Sequence, residues 1–199
     1  MDSYTPYIIG LTSGIGSGKS VVSRLLRLMD IPVYDCDREA KRLMCQDAVV
    51  RERLIAIAGE GVFRADGQLD RTYLASYMFG DDAHVRQVNQ VVHPVVRADF
   101  KQWALQAGRK IVAVESAILF EAGMAADVDA VWVIHAPENM RLQRVVCRDS
   151  SSDSAVRSRM QCQLSEQEYL DRADRIISND NRSSLVRQVA ELLHEISDK

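Results

Sequence analysis

The chain has 199 residues, of which 47% are apolar and 27% are charged, and its 25 Lys and Arg residues against 28 Asp and Glu residues give a net charge of −3. This length and composition allow one sizeable core, and the absence of any block of five like charges argues against a nucleic-acid coat or a polybasic membrane anchor. The longest apolar stretches break at Glu115, Glu121 and Asp127, short of the roughly 20 apolar residues that a membrane span needs.

Short runs rich in β-branched residues alternate with longer segments of helical periodicity, which is typical of a parallel sheet covered by helices on both faces. The runs that predict strands are Tyr7 to Thr12, Val33 to Asp35, Ile111 to Val114, Ala130 to Ile134 and Arg175 to Ile177. Apolar residues at helical spacing predict one helix from Lys19 onwards and another from Leu185 to Ile196. The predicted fold class is therefore α/β.

A glycine-rich loop joins the first predicted strand to the first predicted helix. Its sequence is Gly10-Leu11-Thr12-Ser13-Gly14-Ile15-Gly16-Ser17-Gly18-Lys19-Ser20. It closely approaches the P-loop pattern G-x-x-x-x-G-K-[ST], in the strand, loop and helix context that the motif requires. Glycines let backbone amides converge on a phosphate, and the helix that follows adds its positive end. A flexible glycine loop without a ligand is the alternative.

This loop predicts a nucleotide site with Mg²⁺. The predicted nucleotide-binding residues are Ser13, Gly14, Ile15, Gly16, Ser17, Gly18, Lys19, Ser20 and Val21. We expect Lys19 to reach the β- and γ-phosphates and the hydroxyl of Ser20 to bind Mg²⁺. Because Ser13 stands where the motif has its first glycine, a non-glycine residue must form that corner of the loop. The sequence is compatible with a strained or slightly altered turn there.

Two connections between predicted strands are much longer than the dozen or so residues of a simple crossover. Residues 37–109 predict helices around a glycine-containing turn, and residues 138–171 predict helices rich in arginine around a serine-rich loop. We therefore divide the chain into a P-loop core (1–36, 110–137 and 172–199), a helical acceptor-binding insertion (37–109) and a helical lid (138–171). The lid has few large apolar residues, so we expect that little except ligand phosphate holds it down.

Three classes of nucleotide-binding protein use such a loop: a small-metabolite kinase, a nucleotide-dependent switch, and a mechanical or nucleic-acid protein. The sequence has neither the N-K-x-D nor the D-x-x-G string of a switch GTPase, and a motor usually needs a longer chain with a basic track. A kinase must hold an acceptor in line with the γ-phosphate and exclude water, which suits the two insertions. A P-loop kinase for another small metabolite, a nucleoside or a nucleotide stays open as an alternative.

Several further motifs accompany the loop, in a fixed order along nearly the whole chain. They are Ile9 to Ser20, Pro32-Val33-Tyr34-Asp35-Cys36-Asp37, Asp66-Gly67-Gln68-Leu69-Asp70-Arg71, His93-Pro94, Ile118-Leu119-Phe120-Glu121, Arg144 with Arg148-Asp149, Arg159 with Gln163, Ala173-Asp174 and Ser178-Asn179. Together these motifs resemble the dephospho-CoA kinase family. The resemblance implies that ATP phosphorylates the ribose 3′-hydroxyl of dephospho-CoA in the last step of coenzyme A synthesis, and that residues 37–109 bind the coenzyme A moiety.

The resemblance also implies roles for single residues. It makes Lys19, Asp37 and Arg148 the catalytic residues, with Arg144 and Asn179 binding ATP beside Arg148. The implied acceptor-binding residues are Asp35, Asp37, Arg71, His93 and Glu121. The sequence departs from the family at three further points, since Val21 stands where Thr is common, Glu115-Ser116-Ala117 where Asp-x-Pro is usual, and Asn181 where glycine is common. The link between Glu115 and Mg²⁺ is open for this reason.

Each of these roles has a structural alternative. Asp35 and Asp37 would share one face in extended chain at the carboxyl edge of the sheet, where ligands of α/β proteins bind, but Asp37 is also a suitable N-cap for a helix beginning at Arg38. Arg148 and Arg144 lie one turn apart and either bind the nucleotide or belong to a solvated helix face. His93 before Pro94 is either an acceptor contact or a helix terminus.

We expect a cytoplasmic protein with ATP and dephospho-CoA as its small-molecule partners, no nucleic-acid or membrane partner, and a monomer or small homo-oligomer. The first residues, Met1 to Tyr4, have no basic start and are followed by no apolar leader. The four cysteines form no C-x-x-C pair, which favours reduced thiols.

Overall fold

The computed structural model describes residues 5–197, so the expectation about a leader, which rests on residues 1–4, falls outside the described residues. The strands are β1 (Tyr7–Thr12), β2 (Val33–Asp35), β3 (Ile111–Glu115), β4 (Ala130–His135) and β5 (Arg175–Ser178). They form one sheet in the order β2-β3-β1-β4-β5. The pairs β1–β3, β1–β4 and β4–β5 are parallel. The predicted α/β class is confirmed, and all of the predicted strands are present within one residue.

The helices are α1 (Lys19–Leu28), α2 (Cys36–Gln46), α3 (Ala48–Ala58), α4 (Arg71–Met78), α5 (Asp82–Gln106), α6 (Glu138–Asp149), α7 (Asp153–Gln161), α8 (Glu166–Asp171) and α9 (Leu185–Ser197). In the part of the chain that the structure describes, no helix is long and apolar enough to cross a membrane. The chain forms two compact units, one from residues 1–34 and 107–199 and the other from residues 35–106.

The core of the first unit lies against the central strand β1. Ile9 and Leu11 of β1 are fully buried, as are Val22 and Leu26 of α1 and Val189 of α9 in the same cluster. A parallel strand that is buried on both faces needs an uninterrupted apolar run, which is why the β1 sequence contains no charged residue. The sheet thus fixes the carboxyl ends of β1 and β3 side by side, with Leu11 in register with Glu115.

Residues 138–171 belong to the first unit and have an apolar cluster of their own. Leu142, Val145 and Val156 are buried together, with Ile15 of the phosphate loop among the residues packed against them. The expectation that little except ligand phosphate holds this segment down was wrong. Its apolar residues are few, but they recur on the facing sides of α6 and α7, so that a small number suffices to form a core.

The second unit consists of α2 to α5, and the long helix α5 contains Pro94. The interpretation of His93-Pro94 as a helix terminus was wrong, because α5 continues to Gln106. Proline lacks an amide N–H, so it removes one backbone hydrogen bond of the helix. Buried residues on both sides of Pro94, including Val92, Val96 and Phe100, hold the helix together through this point.

Candidate active site

The phosphate loop turns at two glycines. Gly16 has φ 82° and Gly18 has φ 95°, a left-handed conformation that residues with a Cβ rarely adopt. Among the described residues, positive φ occurs outside glycine only at Asp30, Ser150 and Asn181. Ser13 is therefore not in the left-handed region. The replacement of the first motif glycine by serine costs no strain of this kind, because the left-handed turns of the loop lie elsewhere.

Helix α6 lies directly against this loop. A Cβ on Gly16 would come within 2.5 Å of the carbonyl oxygen of Arg141, and a Cβ on Gly14 within 2.5 Å of Nη1 of the same arginine. Real Cβ contacts are essentially never below 3.0 Å. Gly16 requires glycine because the opposing atom belongs to the backbone, whereas at Gly14 it is the end of the Arg141 side chain, which a Cβ would displace. The guanidinium of Arg141, a residue for which the sequence predicts no individual role, therefore lies next to the loop predicted to bind phosphate.

Lys19 and Glu115 form an ion pair at the carboxyl ends of β1 and β3. Lys19 Nζ donates to Glu115 Oε1 at 2.7 Å, and the two side chains are only 14% and 10% exposed. α1 begins at Lys19 and has no side-chain cap, because its N-cap is Gly18. Uncapped amides at a helix N-terminus favour an anion. The ammonium of Lys19 and the N-terminus of α1, both predicted to bind phosphate, thus lie together, and the carboxylate of Glu115 lies beside the ammonium.

The loop after β5 supports the phosphate loop from another side. The amide nitrogen Nδ2 of Asn179 donates to the carbonyl of Ser17 at 2.7 Å, and Arg144 Nη2 donates to the carbonyl of Asn179 and to Oδ1 of Asn181. Asn181 has φ 63°, which explains this departure from the family pattern, since asparagine tolerates the left-handed region better than most residues. The structure brings the predicted residues Asn179 and Arg144 together with the loop.

Arg144 has one unpartnered nitrogen: its Nη1 is buried and has no hydrogen-bond partner among the described residues. Its Nη2 instead holds the backbone and side chain of the loop after β5. Buried donors are usually satisfied, and a ligand oxygen is one way to satisfy this one. The nucleotide-binding role predicted for Arg144 is consistent with this geometry and stays a prediction.

Arg148 lies in the last turn of α6 and is 63% exposed. It pairs with Asp149, which also pairs with Arg159. The hydrogen bond from Arg148 and the one from Arg159 lower the pKa of the Asp149 carboxyl to about 2. The catalytic role of Arg148 stays a prediction, and in this conformation its charge is partly engaged by its sequence neighbour.

Glu121 is exposed in the turn after β3. It lies close enough to Tyr169 that, together with the larger effect of burial, its charge raises the pKa of the phenol to about 12. Tyr169 is neutral throughout the range in which proteins are usually studied, and its hydroxyl donates to the carbonyl of Ala117 at 3.4 Å. The acceptor-binding role of Glu121 stays a prediction.

The remaining predicted acceptor residues lie in the second unit. Asp35 ends β2 and caps α2, since its Oδ1 accepts from the backbone N–H of Arg38 at 3.0 Å. The helix begins at Cys36, so Asp37 is an exposed residue of its first turn. The hypothesis that Asp37 caps a helix from Arg38 was wrong, and so was the assumption that Asp35 and Asp37 both lie in extended chain.

The other two predicted acceptor residues lie on α4 and α5. Arg71 is the exposed first residue of α4, after Asp70, which caps that helix. His93 is half-buried in α5, and burial lowers the pKa of its imidazole. A neutral imidazole is thereby favoured near neutral pH. The roles of Arg71 and His93 at an acceptor site stay predictions.

Comparison with known proteins shows the family. A sequence model of the family described as dephospho-CoA kinase matches residues 7–184. The chain is 42% identical over 186 residues to a protein named dephospho-CoA kinase from Bacteroides fragilis, an alignment that covers 93% of this chain and 90% of that protein.

Solved structures give the same result at the level of the fold. A crystal structure from Thermus thermophilus is 32% identical, covers 96% of this chain and 97% of its own, and superposes with a TM-score of 0.85. A dephospho-CoA kinase from Campylobacter jejuni, 22% identical, shares the fold with a TM-score of 0.66 over 98% of this chain and 100% of its own. With its P-loop, its order of motifs and these matches, the chain belongs to the dephospho-CoA kinase family.

Proposed function

We propose that this protein transfers the γ-phosphoryl group of ATP to the ribose 3′-hydroxyl of dephospho-CoA and so produces coenzyme A. The observation that carries the proposal is the family match over residues 7–184, which includes the P-loop and its Lys19–Glu115 pair. The reaction conserves charge and atoms: the hydroxyl proton leaves, its oxygen bonds to the γ-phosphorus, and the bond from that phosphorus to the β,γ-bridging oxygen breaks.

Lys19 is the phosphate-binding cation in this proposal. Its ammonium lies on the loop at the N-terminus of α1, where partial positive charge and free amides face the nucleotide. When ATP binds, a phosphate oxygen replaces or joins Glu115 as the partner of Nζ, and the ammonium then stabilises negative charge that moves toward the β,γ-bridge during transfer.

Asp37 is the proposed base, or the group that orients the acceptor hydroxyl. It is exposed and carries no side-chain cap bond, whereas the carboxylate of Asp35 is engaged with the amide of Arg38. A carboxylate that is free of structural bonds is better suited to accept a proton from the acceptor. Arg148, with Arg144, is proposed to bind the nucleotide; Arg71, His93 and Glu121 are proposed to bind the acceptor.

Mg²⁺ is the proposed metal, and the residues present fit it. The hydroxyl of Ser20 and the carboxylate of Glu115 are hard oxygen donors beside the loop, and Mg²⁺ is typically held by one or two such groups together with substrate phosphates. No cluster of three metal-binding side chains is present in residues 5–197, in keeping with a metal that arrives with the nucleotide. When bound, Mg²⁺ offsets phosphate charge.

The same proposal includes the cellular setting. We place the enzyme in the cytoplasm, as a monomer or small homo-oligomer that works on two small molecules without a nucleic-acid or membrane partner. The net charge of −3 supports the proposed lack of a nucleic-acid partner, since it offers no general attraction for polyanions.

Acceptor preference tests the proposal. Release of ADP is measured with Mg²⁺ and ATP against a panel of dephospho-CoA, adenosine, nucleoside monophosphates and small hydroxy acids, with Lys19→Ala as the inactive control. Dephospho-CoA should give the highest kcat/KM by orders of magnitude. A different dominant acceptor would overturn the proposed substrate and favour another P-loop small-metabolite kinase, while nucleotide binding by the loop would stand.

A further inference from the structure

Gln163 connects residues 138–171 to the backbone of the phosphate loop. It lies between α7 and α8, and its side-chain Oε1 accepts a hydrogen bond from the backbone N–H of Ile15 at 2.8 Å in a partly buried position. The two residues are separated by 148 positions in sequence. A loop amide that is free to face phosphate in a simple P-loop therefore has a side-chain partner from the segment predicted to be the lid.

A cation lies beside this hydrogen bond. A Cβ on Gly14 would be 2.5 Å from Arg141 Nη1 and 3.8 Å from Gln163 Oε1, so the guanidinium and the amide oxygen lie on the same side of the loop. Arg141 Nη2 donates to Glu166 Oε2 at 3.4 Å, and the arginine side chain is only 12% exposed. Arg141 is held in place by α8, and its charge can offset negative charge at Gln163.

The side chain of Ile15 is held by the same segment. It packs against the cluster of Leu142, Val145 and Val156 on α6 and α7, while its backbone N–H is held by Gln163. A movement of residues 138–171 is therefore transmitted to Ile15 through two contacts, one with its side chain and one with its backbone N–H. Because Gly16 follows with a left-handed φ of 82°, the orientation of the Ile15–Gly16 peptide decides where the next amides of the loop point.

We propose that Gln163 is a positioning residue that couples the lid segment 138–171 to the phosphate loop, and so aligns the loop amides for phosphoryl transfer. This inference rests on the proposed kinase activity. Gln163 does not touch the reacting atoms; it acts through the backbone of Ile15. The side-chain oxygen does this by accepting the hydrogen bond from the backbone N–H of Ile15.

Three variants test the coupling in the full-length enzyme. Gln163→Met removes the acceptor at nearly constant volume, Gln163→Glu keeps an acceptor oxygen, and Gln161→Met makes the same chemical change at an exposed position at the end of α7. Losing one hydrogen bond of about 1.4 kcal/mol in the transition state lowers the rate tenfold. We expect kcat to fall roughly tenfold in Gln163→Met with the KM for ATP changed less than threefold.

The other two variants and a second measurement make the test specific. Gln163→Glu should keep kcat within about threefold of wild type, because Arg141 offsets its charge, and Gln161→Met should match wild type. Hydrogen exchange of the peptide containing residues 14–17 should be faster in Gln163→Met than in Gln161→Met, both without ligand and with a non-hydrolysable ATP analogue. If Gln163→Met does not fold, Gln163→Asn, which withdraws the oxygen by one methylene, should show the same kinetic loss.

Three results would overturn the coupling. They are an unchanged kcat in Gln163→Met, equal losses in Gln163→Met and Gln163→Glu, and a lowered melting temperature with wild-type kinetics. A wild-type enzyme without transfer to dephospho-CoA would instead refute the proposed function, and the exchange rates of the phosphate loop would then still decide whether Gln163 orders it.

Discussion

Lys19, the first residue of α1, and Glu115, the last residue of β3, form an ion pair at 2.7 Å with little exposure to solvent. The pair exists because β1 and β3 are parallel neighbours, with Glu115 at the end of β3 in register with Leu11 near the end of β1. Glutamate is one methylene longer than the aspartate that is usual in the family, and in this chain it reaches the ammonium directly. The departure noted at Glu115 thus keeps a carboxylate in the site.

Replacing Lys19 by alanine should abolish turnover without unfolding the protein. An ammonium that follows the charge between the β- and γ-phosphates contributes about 3 kcal/mol or more to the lowering of the barrier, which is at least a hundredfold in kcat. Steady-state ADP release, with circular dichroism as the check on folding, measures this. Retained turnover with normal ATP affinity would show that Lys19 is outside the site.

Replacing Glu115 by glutamine should make the protein more dependent on nucleotide for stability. Removing one partner of a largely buried ion pair leaves the other charge unpaired, which costs several kcal/mol in unfavourable cases. ATP phosphates can then serve as the partner of Lys19. We expect Glu115→Gln to melt at a lower temperature than wild type. Its melting temperature should also rise more than that of wild type when a non-hydrolysable ATP analogue is added without magnesium. Equal rises in melting temperature in the two proteins would contradict the expectation that phosphate can replace Glu115 as the partner of Lys19.

Substitutions of Asp35 and Asp37 should have different effects: those at Asp35 should lower stability, and those at Asp37 should lower kcat. Asp35→Ala removes the N-cap of α2 and should cost about 1 kcal/mol of stability. Asp37→Asn removes the proposed base and should lower kcat by roughly 10²- to 10⁴-fold, with a much smaller change in the KM for dephospho-CoA. Thermal denaturation and steady-state kinetics on both variants give the comparison. A large kcat loss in Asp35→Asn with a mild Asp37→Asn would exchange the two roles.

Residues 138–171 should exchange their amide hydrogens more slowly when an ATP analogue and dephospho-CoA are both bound, because closure excludes the water that competes for the phosphoryl group. The strand Ile111–Glu115 should change little. Leu142→Ala shrinks the buried cluster of this segment and should speed exchange there, since such substitutions cost about 2 to 5 kcal/mol in a packed core. Ligand-independent exchange across 138–171 would mean that the segment is a fixed part of the first unit.

His93 should make stability pH-dependent. Burial holds the pKa of His93 below its usual value of about 6.5, so below that pH the unfolded chain binds a proton that the folded protein resists. The contribution of His93 to the free energy of unfolding is complete above about pH 6.5, and it is lost as the pH falls through the lowered pKa that His93 has in the folded protein. Denaturant titrations from pH 8 to pH 5 should show a flatter profile for His93→Gln than for wild type. Parallel profiles would remove His93 as the cause.

The fold could be predicted from the sequence because its strands are short, apolar and bounded by strong signals. The run from Tyr7 to Thr12 is followed by a glycine-rich loop, and Val33 follows a proline, so that both boundaries are marked locally. The start of α2 was missed by two residues, because aspartates at 35 and 37 are equally good caps and only the backbone decides between them. Pro94 was similarly ambiguous, since a buried helix can span a proline.

Arg141 and Gln163 could not be singled out from the sequence as neighbours of the loop. Gln163 belongs to a motif of the family resemblance, but neither that motif nor the surrounding arginines and glutamines shows which side chains face Gly14 and Ile15. The loop residues that they face are more than a hundred positions away in sequence. The P-loop itself was visible because its glycines, Lys19 and Ser20 are contiguous. Contacts between residues that are far apart in sequence form no contiguous motif of this kind.

The position of the transferred phosphoryl group in the product decides whether this protein acts on the ribose 3′-hydroxyl of dephospho-CoA. Wild-type enzyme is incubated with Mg²⁺, ATP and dephospho-CoA, and the product is compared by phosphorus NMR and chromatography with authentic coenzyme A, with Lys19→Ala in parallel. We expect one new phosphomonoester, on the 3′-oxygen of the ribose, in an amount equal to the ADP released, and no such product with Lys19→Ala. A phosphate on another oxygen, or ADP with free phosphate and unchanged dephospho-CoA, would contradict this expectation.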